Sequence, residues 1–466
     1  MLIKNFIIFI LLLIYNSVKQ RTSKNVEKKE SRKLSISKGI SVKGDLKWES
    51  PIHYHIATPS HKEMIEKVIK YLELKTCLTF RKHAFPFDNR NGLFYTLREK
   101  NNHAELGKIK NNEPQRIKLT SLCYSRFGCV MKYTLLSLGL TPPILRSDRN
   151  QYVKVNLKNV DKKNQSYFDN SGKEKHLILY DLPYDYTSIV HPGEYYCSKN
   201  GKKTIEGKQK YYDQMIGQEE YPSFQDIQTI NKFYCSKNCT NKENYCQNGG
   251  YLNPNNCTSC ICPTGFVGYN CAELIKQNQS CLVQERDHFI TGSGGRILGG
   301  NFTCIFHFKT HKDFRIKLII NYLDMKSAGP CSERNGVQIR YKKDKSKTGI
   351  VLCNKKYINV THPLKLMSED NSLLLFIHFT QPRDYLQYTI ETISKEIVTT
   401  KKPKTTKGIT TTKRKTSTST KKLKPTKKVI PTKKRTSRTT AKLNKKISTN
   451  MTTKTSKKTT MIDKKG

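Results

Sequence analysis

The chain has 466 residues, and its 85 Lys and Arg against 37 Asp and Glu give a formal charge of +48. Residues 401–466 contain 24 of these bases and one acid, Asp463, so they carry +23 (24 − 1) and the other 400 residues carry +25 (61 − 36). This length excludes a single small domain and predicts two to four domains. Whether the positive charge indicates nucleic acid or an extracellular polyanion as the partner depends on the compartment.

The first 20 residues predict a secretory signal peptide. Lys4 precedes an apolar run from Phe6 to Tyr15, and small and polar residues follow. The run is too short to span a bilayer, and no later segment is apolar enough to do so. An uncleaved anchor is the alternative. The protein is expected to be secreted and extracellular, so extracellular polyanions rather than nucleic acid are the expected partners of its charge.

Secretion also determines the expected chemistry of the 15 cysteines. In an oxidising compartment they are candidates for disulfide bonds rather than for metal thiolates. Asn-X-Ser/Thr sequons fit the same compartment and predict a glycoprotein. Six of them precede the basic tail: Asn164, Asn238, Asn256, Asn278, Asn301 and Asn359.

Residues 21–44 are polar and basic, which predicts an unfolded leader or short pro-segment. From Trp48 the pattern changes, because WESPIHYHI alternates like a strand and HKEMIEKVIKYLELKTC has helical apolar spacing. Ser223 and Asp226 have capping-box spacing ahead of an amphipathic helix that ends near Cys235. A mixed α+β domain is predicted over residues 45–235.

Residues 236–272 contain six cysteines in the order C-x6-C-x10-C-x2-C-x-C-x8-C. This spacing, with Gly at the turns, resembles an epidermal growth factor (EGF)-like module. So short a segment has almost no apolar core and depends on disulfides to fold. The resemblance implies the pairs Cys239–Cys257, Cys246–Cys260 and Cys262–Cys271.

Residues 281–393 contain four cysteines among β-rich runs such as FRIKLIINYL, LLLFIHF and YTIETI. Their alternation predicts a disulfide-braced antiparallel sandwich. This part of the chain resembles a CUB domain, which implies the pairs Cys281–Cys304 and Cys331–Cys353. Arg334 stands near the place where many CUB domains have an acidic calcium ligand, so calcium is not expected.

Residues 394–466 are Lys, Thr and Ser with scattered Pro and almost no aromatic residues. Such a segment cannot bury enough apolar surface to offset the entropy of ordering its backbone, so it is predicted to be disordered. Its charge predicts binding to sulfated glycans, and a solvated, O-glycosylated linker is the alternative.

Motifs between residues 48 and 235 follow one another as they do in a known family. They are the strand WESPIHYHI, GCVMKYTLLSLG, RSDRNQYVKVNLKNV, DYTSIVHPG, SKNGKKTI and the closing IGQEEYPSFQDIQTINKFYC. The ordered series resembles the peptidase domain of astacin-family zinc metalloendopeptidases, in which EGF-like and CUB modules often follow. The resemblance implies a metzincin-like α+β fold and the long bridge Cys77–Cys235.

The metal motif of that family is H-E-x-x-H-x-x-G-x-x-H-E, with three His as zinc ligands and the Glu as general base. Alignment on Gly139 and RSDRNQY gives one register without gaps. The ligand positions become Lys132, Leu136 and Pro142, and the general-base position becomes Tyr133. Leu and Pro offer no lone pair, charged Lys repels the ion, and Tyr is a poor base near neutral pH. No zinc or other cofactor is expected.

The second half of the site agrees with the first. The family's S-x-M-H-Y turn corresponds to residues 188–192, where Val190 replaces the Met that underlies the metal. Pro192 replaces the Tyr that contacts the metal, and Pro143 replaces the Glu that pairs with the mature amino terminus. His53 and His55 lie on one side of a strand, but two ligands on one strand do not make a zinc site, so surface or packing roles are expected.

The remaining cysteines of the first domain depart from the family pattern. The family's second bridge needs a partner for Cys123 between residues 78 and 122, where no cysteine occurs. Cys129 lies on the former metal helix and Cys197 lies just beyond the 188–192 turn. A bridge Cys129–Cys197 across the former site is therefore predicted, with Cys123 left unpaired.

These replacements predict a secreted, astacin-like pseudoprotease that binds extracellular proteins or glycans. An extended peptide can still pair with an edge strand of the former cleft, because that pairing needs backbone hydrogen bonds rather than metal. Two alternatives stay open: an active zinc endopeptidase, which the domain order alone implies, and a degenerate family member without a selected role.

Overall fold

The computed structural model describes residues 39–41, 46–170, 177–281, 283–326, 329–354, 358 and 361–395. The chain divides into two compact units, Met1–Val398 and Thr399–Gly466. The predicted signal peptide, most of the predicted leader, Asn359 and the basic tail lie outside the described residues. Within the described ranges, no helix combines the length and apolar character needed to cross a membrane.

The described residues contain four α-helices and several short 3-10 turns. The helices are α1 (Lys62–Lys75), α2 (Ser121–Tyr124), α3 (Phe127–Ser137) and α4 (Phe224–Tyr234). The strands are β1 (Gly39–Ser41), β2 (Ile52–Ile56), β3 (Phe80–His83), β4 (Gly92–Leu97), β5 (Pro114–Leu119), β6 (Val153–Val155), β7 (Leu177–Leu179), β8 (Ile205–Gly207), β9 (Tyr251–Asn253), β10 (Asn256–Ile261), β11 (Phe266–Val267), β12 (Glu273–Leu274), β13 (Asp287–Phe289), β14 (Ser293–Gly299), β15 (Thr303–Lys309), β16 (Phe314–Asp324), β17 (Val337–Arg340), β18 (Ile350–Leu352), β19 (Leu364–Met367), β20 (Ser372–His378) and β21 (Tyr385–Ser394).

The first half of the α+β domain is a parallel sheet in the order β3-β2-β4-β5. Its strand β2 lies in WESPIHYHI, as predicted from the alternation of that segment. Helix α1 is the helix predicted from apolar spacing, and it buries Ile65, Val68 and Leu72 at intervals of three and four residues. These side chains share one core with the sheet and with α3.

The second half of the domain is built from short turns, the ribbon β6–β8 and the closing helix α4. The predicted capping box is confirmed, because the Ser223 side chain accepts from the Asp226 amide and the Asp226 carboxylate accepts from the Ser223 amide. The buried carboxylate of Asp226 also accepts from Ser188 Oγ at 2.6 Å and from the Ile189 amide at 2.9 Å. The cap therefore anchors the 188–192 turn.

The prediction of an unfolded leader over residues 21–44 is wrong for residues 39–41. Strand β1 pairs antiparallel with β7 in the register Gly39↔Leu179 to Ser41↔Leu177. A strand this short and polar does not form by itself, and β7 supplies the hydrogen bonds that hold it.

Residues 236–274 form a small module with two two-stranded sheets, β9–β10 and β11–β12, so the module includes two residues beyond the predicted end at 272. The structure has the three bonds implied by the EGF-like resemblance. Phe266, Leu274 and the fully buried Cys271 form a small core that also includes Leu374 of the following domain. The fold of this segment is EGF-like, and disulfides replace most of the core it lacks.

The third part of the chain is an antiparallel sandwich of CUB type. Its sheets have the orders β13-β15-β20-β17-β18 and β14-β21-β16-β19, and one outer pair, β13 with β15, is parallel. The bonds Cys281–Cys304 and Cys331–Cys353 are those implied by the resemblance. The fold class predicted for the described domains is confirmed.

The CUB sandwich packs directly against the second half of the first domain. One apolar cluster extends from Val153 and Ile205 to the sandwich core around Phe306. The Tyr212 and Tyr341 hydroxyls lie 2.8 Å apart across this junction. The Arg334 guanidinium lies 3.6 Å from the Tyr221 ring centroid, so the side chain at the former calcium position makes a cation–π contact between domains.

The predicted bridge Cys129–Cys197 is wrong. Cys123 and Cys129 lie on the successive helices α2 and α3 with their Cα atoms 5.2 Å apart, and they are bonded to each other. Cys197 carries a free, half-buried thiol whose pKa is raised by burial. The long bond Cys77–Cys235 is present. The family pattern places the partner of Cys123 upstream, where this chain has no cysteine. Here the tight turn between α2 and α3 brings Cys129 to Cys123 instead.

Candidate functional site

The first ligand position of the former metal motif contains an ion pair. Lys132 Nζ lies 2.8 Å from Glu219 Oε1, and the Lys132 side chain is only 13% exposed. Arg126 Nη2 is 3.4 Å from the other oxygen of the same carboxylate. A Cβ atom on Gly128 would lie 1.9 Å from the Glu219 carbonyl oxygen, so glycine permits this close approach. The segment around Glu219 is thereby held on α3.

The general-base position is a phenol that stays protonated. Burial, assisted by the nearby Glu219 carboxylate, raises the pKa of Tyr133 to about 12. The nearby Asn102 side chain and Arg126 oppose this rise in the pKa of Tyr133 only in part. A group with this pKa cannot accept a proton from water near neutral pH, so Tyr133 offers no general base.

The other two ligand positions serve packing and chain direction. Leu136 lies against the apolar core, and its carbonyl accepts from the Gly107 amide at 2.9 Å. Gly139, with φ +94°, ends α3 through the Gly139 N–H to Leu136 O bond and the Leu140 N–H to Leu135 O bond. Pro142 then precedes the 3-10 turn Pro143–Leu145. The chain therefore bends after α3, although the residue that follows the bend, Pro142, offers no metal ligand.

These residues do not fit a zinc ion. One ligand position is a lysine already paired with a carboxylate, and the other two side chains have no donor atom. In the described part of the chain, no group of three or more His, Cys, Asp or Glu side chains could hold a metal. The site therefore offers neither metal ligands nor a base at the positions that supply both in the family.

The 188–192 turn is a buried structural element. Val190 and Pro192 are buried at the positions of the family's Met and Tyr. Both nitrogens of the buried His191 have partners, the Tyr184 hydroxyl at 2.8 Å and the Pro192 carbonyl at 2.9 Å. His191 is thus engaged in packing, and neither ring nitrogen is left for a ligand.

The R-S-D-R-N-Q-Y stretch holds the loop after α3 in place. Arg146 forms two bonds with Asp148 and lies over the stacked rings of Tyr152 and Tyr184. Arg149 donates to the Ile144 and Phe168 carbonyls. Buried guanidinium groups with this many bonds act as structural braces.

His53 and His55 meet a third histidine that the sequence pattern did not indicate. His53 Nδ1 lies 2.7 Å from His83 Nε2, and His55 Nδ1 lies 3.1 Å from the His83 carbonyl, since β2 and β3 are neighbours. The contact uses one nitrogen of each of His53 and His83. It packs two strands together.

One chain segment near α3 has backbone groups that face away from the sheet. The His103 amide and carbonyl both bond to Lys118 of β5, at 2.8 and 2.9 Å. The pairing is confined to this one bridge, and among the described residues the backbone groups of Asn102 and Ala104 form no bond with β5. Because Asn102 Nδ2 lies 3.8 Å from Cys129 Sγ of α3, this edge adjoins that helix. Sequence analysis had not identified Glu219, Asn102 or this edge.

Five of the six predicted glycosylation sequons lie in the described ranges. Asn256, Asn278 and Asn301 are exposed, and Asn164 is half-buried. Asn238 is exposed, but its side-chain N–H donates to the Pro254 carbonyl at 2.9 Å, a bond that a glycan would have to replace. Glycosylation at these residues stays a prediction.

Comparison with known proteins finds a family model that matches the first domain. Residues 41–235 match the family model for astacin, a family of peptidases. The zinc metalloproteinase nas-34 of Caenorhabditis elegans is 28% identical over 334 residues, which are 71% of this chain and 53% of that protein. The zinc metalloproteinase dpy-31 of the same organism is 32% identical over 231 residues, covering 47% of this chain and 36% of that protein.

Among solved structures, the hatching enzyme zinc-protease HCE-1 of the medaka fish Oryzias latipes is 23% identical with a TM-score of 0.36. That match covers 42% of this chain and 98% of the enzyme. The matches to nas-34, nas-23 and nas-31 of C. elegans cover 53%, 63% and 57% of those proteins, so this chain spans only part of their length.

Proposed function

From the match of residues 41–235 to the astacin family model, we propose that the protein is a secreted pseudoprotease of that family. In this proposal it binds extracellular peptides or proteins through the former cleft and its EGF-like and CUB modules. It does not hydrolyse them.

The ion pair between Lys132 and Glu219 carries the proposal. A zinc ion bound here would have to displace a mostly buried ammonium group that already has a carboxylate partner 2.8 Å away. Zinc binding in folded sites is worth on the order of 10 kcal/mol, and nearly all of it comes from ligands bonded directly to the metal. With none of the three ligands present, that free energy is missing.

The edge at Asn102 and Ala104 supports the binding half of the proposal. An extended peptide placed beside it can form an antiparallel pair with backbone groups that do not bond to β5. Side-chain identity and metal chemistry are irrelevant to such pairing. The seven disulfides support an extracellular location, because they persist in oxidising compartments.

Metal content and peptidase activity test the first half. Purified protein should contain no stoichiometric zinc by mass spectrometry of metals and should leave casein and gelatin uncleaved. The rival is an active zinc endopeptidase, since the curated relatives are named zinc metalloproteinases. One equivalent of zinc that a chelator removes together with cleavage activity would establish the rival.

A scan of N-methylated peptides tests the second half. A decapeptide selected from a display library for binding should lose affinity when alternate backbone nitrogens are methylated and keep it when the intervening ones are. This alternation is expected only if the peptide pairs as a strand. Uniform tolerance of N-methylation would contradict edge pairing, and failure to select any binder would support a degenerate chain without a selected role.

A further inference from the structure

A second surface of the astacin domain collects positive charge. The β6–β8 ribbon and the turns beside it line an open groove of about 650 Å³. Lysines reach it from both sides, and amide side chains and one tyrosine complete its lining. We call it the lysine groove, and its argued members are Lys154, Lys158, Lys202, Lys203, Tyr195 and Asn200.

The charge of this surface is largely uncompensated. Residues 152–163 and 194–210 contain nine Lys (four and five) and three acids (one and two). Each acid has a partner: Asp161 with Lys163, Glu194 with Lys203, and Glu206 with the Asn156 amide. Within the described residues, Lys154, Lys158 and Lys202 are exposed and form no ion pair, although Glu206 lies opposite Lys154 in the ladder.

A ladder of asparagine side chains makes the groove rigid. Asn159, only 8% exposed, donates to the Lys203 carbonyl at 2.8 Å, and its own oxygen accepts from Asn200 at 3.1 Å. Ser198 Oγ donates to the Lys202 carbonyl at 2.7 Å. The backbone that carries the lysines is therefore held in place before any ligand arrives, which lowers the entropic cost of binding.

The chemistry of the groove indicates its ligand. Ammonium groups spaced along an open groove match a chain with anions at intervals, and release of the counterions on that chain favours binding. Tyr195, 55% exposed, presents an aromatic ring, against which a sugar ring can pack. Nucleic acid is disfavoured because the seven disulfides indicate an oxidising, extracellular setting.

We propose that the lysine groove binds a sulfated polysaccharide of the glycosaminoglycan class. This inference does not depend on whether the former metal site is active, and it places a binding surface on the folded astacin domain rather than on the basic tail.

Lysine footprinting on the full chain tests the position of the site. Acetylation rates are measured by peptide mass spectrometry with and without a heparin octasaccharide at 0.15 M salt. Lys154, Lys158 and Lys202 should be protected, whereas an unsulfated heparosan octasaccharide should leave them reactive. Unchanged acetylation of all three, while lysines elsewhere are protected, would overturn the proposal. Equal or stronger protection by a single-stranded oligonucleotide of the same charge would overturn the assignment to a glycan.

Matched triple variants test the contribution of the three lysines. K154S/K158S/K202S should weaken octasaccharide binding by about tenfold or more at 0.15 M salt, with a shallower salt dependence. K62S/K70S/K312S removes the same charge from exposed lysines outside the groove and should change affinity by less than about threefold. Equal losses in the two variants would show that net charge alone determines binding, and circular dichroism of both verifies that they fold.

Discussion

The replacement of the first metal ligand by Lys132 keeps a positive charge at the former centre. Its ammonium group attracts Glu219, and Arg126 contacts the same carboxylate. An ammonium supplies this charge without a vacant coordination position, so it can hold the neighbouring chain but cannot activate water. At this residue, the positive charge serves to hold the neighbouring chain.

Lys132→Met should lower the free energy of unfolding by about 1–3 kcal/mol, because it leaves the partly buried Glu219 carboxylate without its main partner. The control Lys67→Met removes an exposed pair with Glu63 and should cost less than about 1 kcal/mol. Urea unfolding followed by the fluorescence of Trp48 measures both. A double-mutant cycle with Glu219→Gln that shows no coupling would contradict a stabilising pair.

His307 should make stability depend on pH. Burial, and then Lys309, lower its pKa to about 4, although Asp287 lies 3.0 Å from its Nδ1 atom. The unfolded chain binds this proton near pH 6.5 and the folded chain does not, so stability is lost as pH falls from about 6.5 towards 4. The loss should be about 2 kcal/mol at pH 5.

His307→Gln keeps a side chain that can donate to Asp287 and removes the titration. Between pH 7 and pH 5 the thermal midpoint of the variant, measured by calorimetry, should fall less than that of the unmodified chain. His311→Gln, at an exposed histidine of the same domain, is the control. Equal falls in His307→Gln and the unmodified chain would show that His307 is not responsible.

Helix α3 persists because its folding never depended on metal. Val130, Leu135 and Leu138 are buried, and the Trp48 indole donates to the Ser137 carbonyl at 2.7 Å. Its last turn is closed by Gly139 through backbone bonds alone. Apolar burial, the Trp48 bond and a glycine stop therefore hold the helix.

The cap of α4 is expected to be a critical element. Asp226→Ala removes the acceptor of the Ser223 amide, Ser188 Oγ and the Ile189 amide in a fully buried place, and should lower the unfolding free energy by about 3 kcal/mol or more. Glu63→Ala, in the exposed first turn of α1, should leave the urea midpoint nearly unchanged. A small effect of Asp226→Ala on the urea midpoint would contradict the anchoring of the 188–192 turn.

Across the whole molecule, the bond Cys77–Cys235 closes a loop of 158 residues and Cys123–Cys129 a loop of 6. By the chain-entropy relation their removal should cost about 5 and about 2 kcal/mol. C77A/C235A should therefore lower the thermal midpoint more than C123A/C129A does. A larger effect of the short loop would show that local strain relief, rather than loop length, controls these bonds.

The basic tail is expected to add a second source of affinity for polyanions. Truncation after residue 400 removes +23 and should lower the salt concentration that elutes the protein from heparin, because fewer counterions are released on binding. The circular dichroism of the truncated chain should be unchanged. An unaltered elution point would assign binding to the folded part, where the lysine groove lies.

The sequence by itself determined the elements that depend on interactions between residues close together in the chain. The apolar spacing of α1, the capping box of α4, the stop at Gly139 and the cysteine spacing of the EGF-like module each involve residues a few positions apart. The identities of Lys132, Tyr133, Leu136 and Pro142 likewise excluded the family's zinc ligands by side-chain chemistry alone.

Tertiary structure decided which distant residues meet. Lys132 and Glu219 are 87 positions apart, and Asn159 and Asn200 are 41 apart, so no periodic pattern connects them. The failed bridge Cys129–Cys197 shows the same limit, because the family alignment fixed positions along the chain while the α2–α3 turn brought Cys123 to Cys129. Side-chain chemistry and periodicity are encoded over a few residues, whereas ion pairs, disulfide partners and grooves depend on how the whole chain packs.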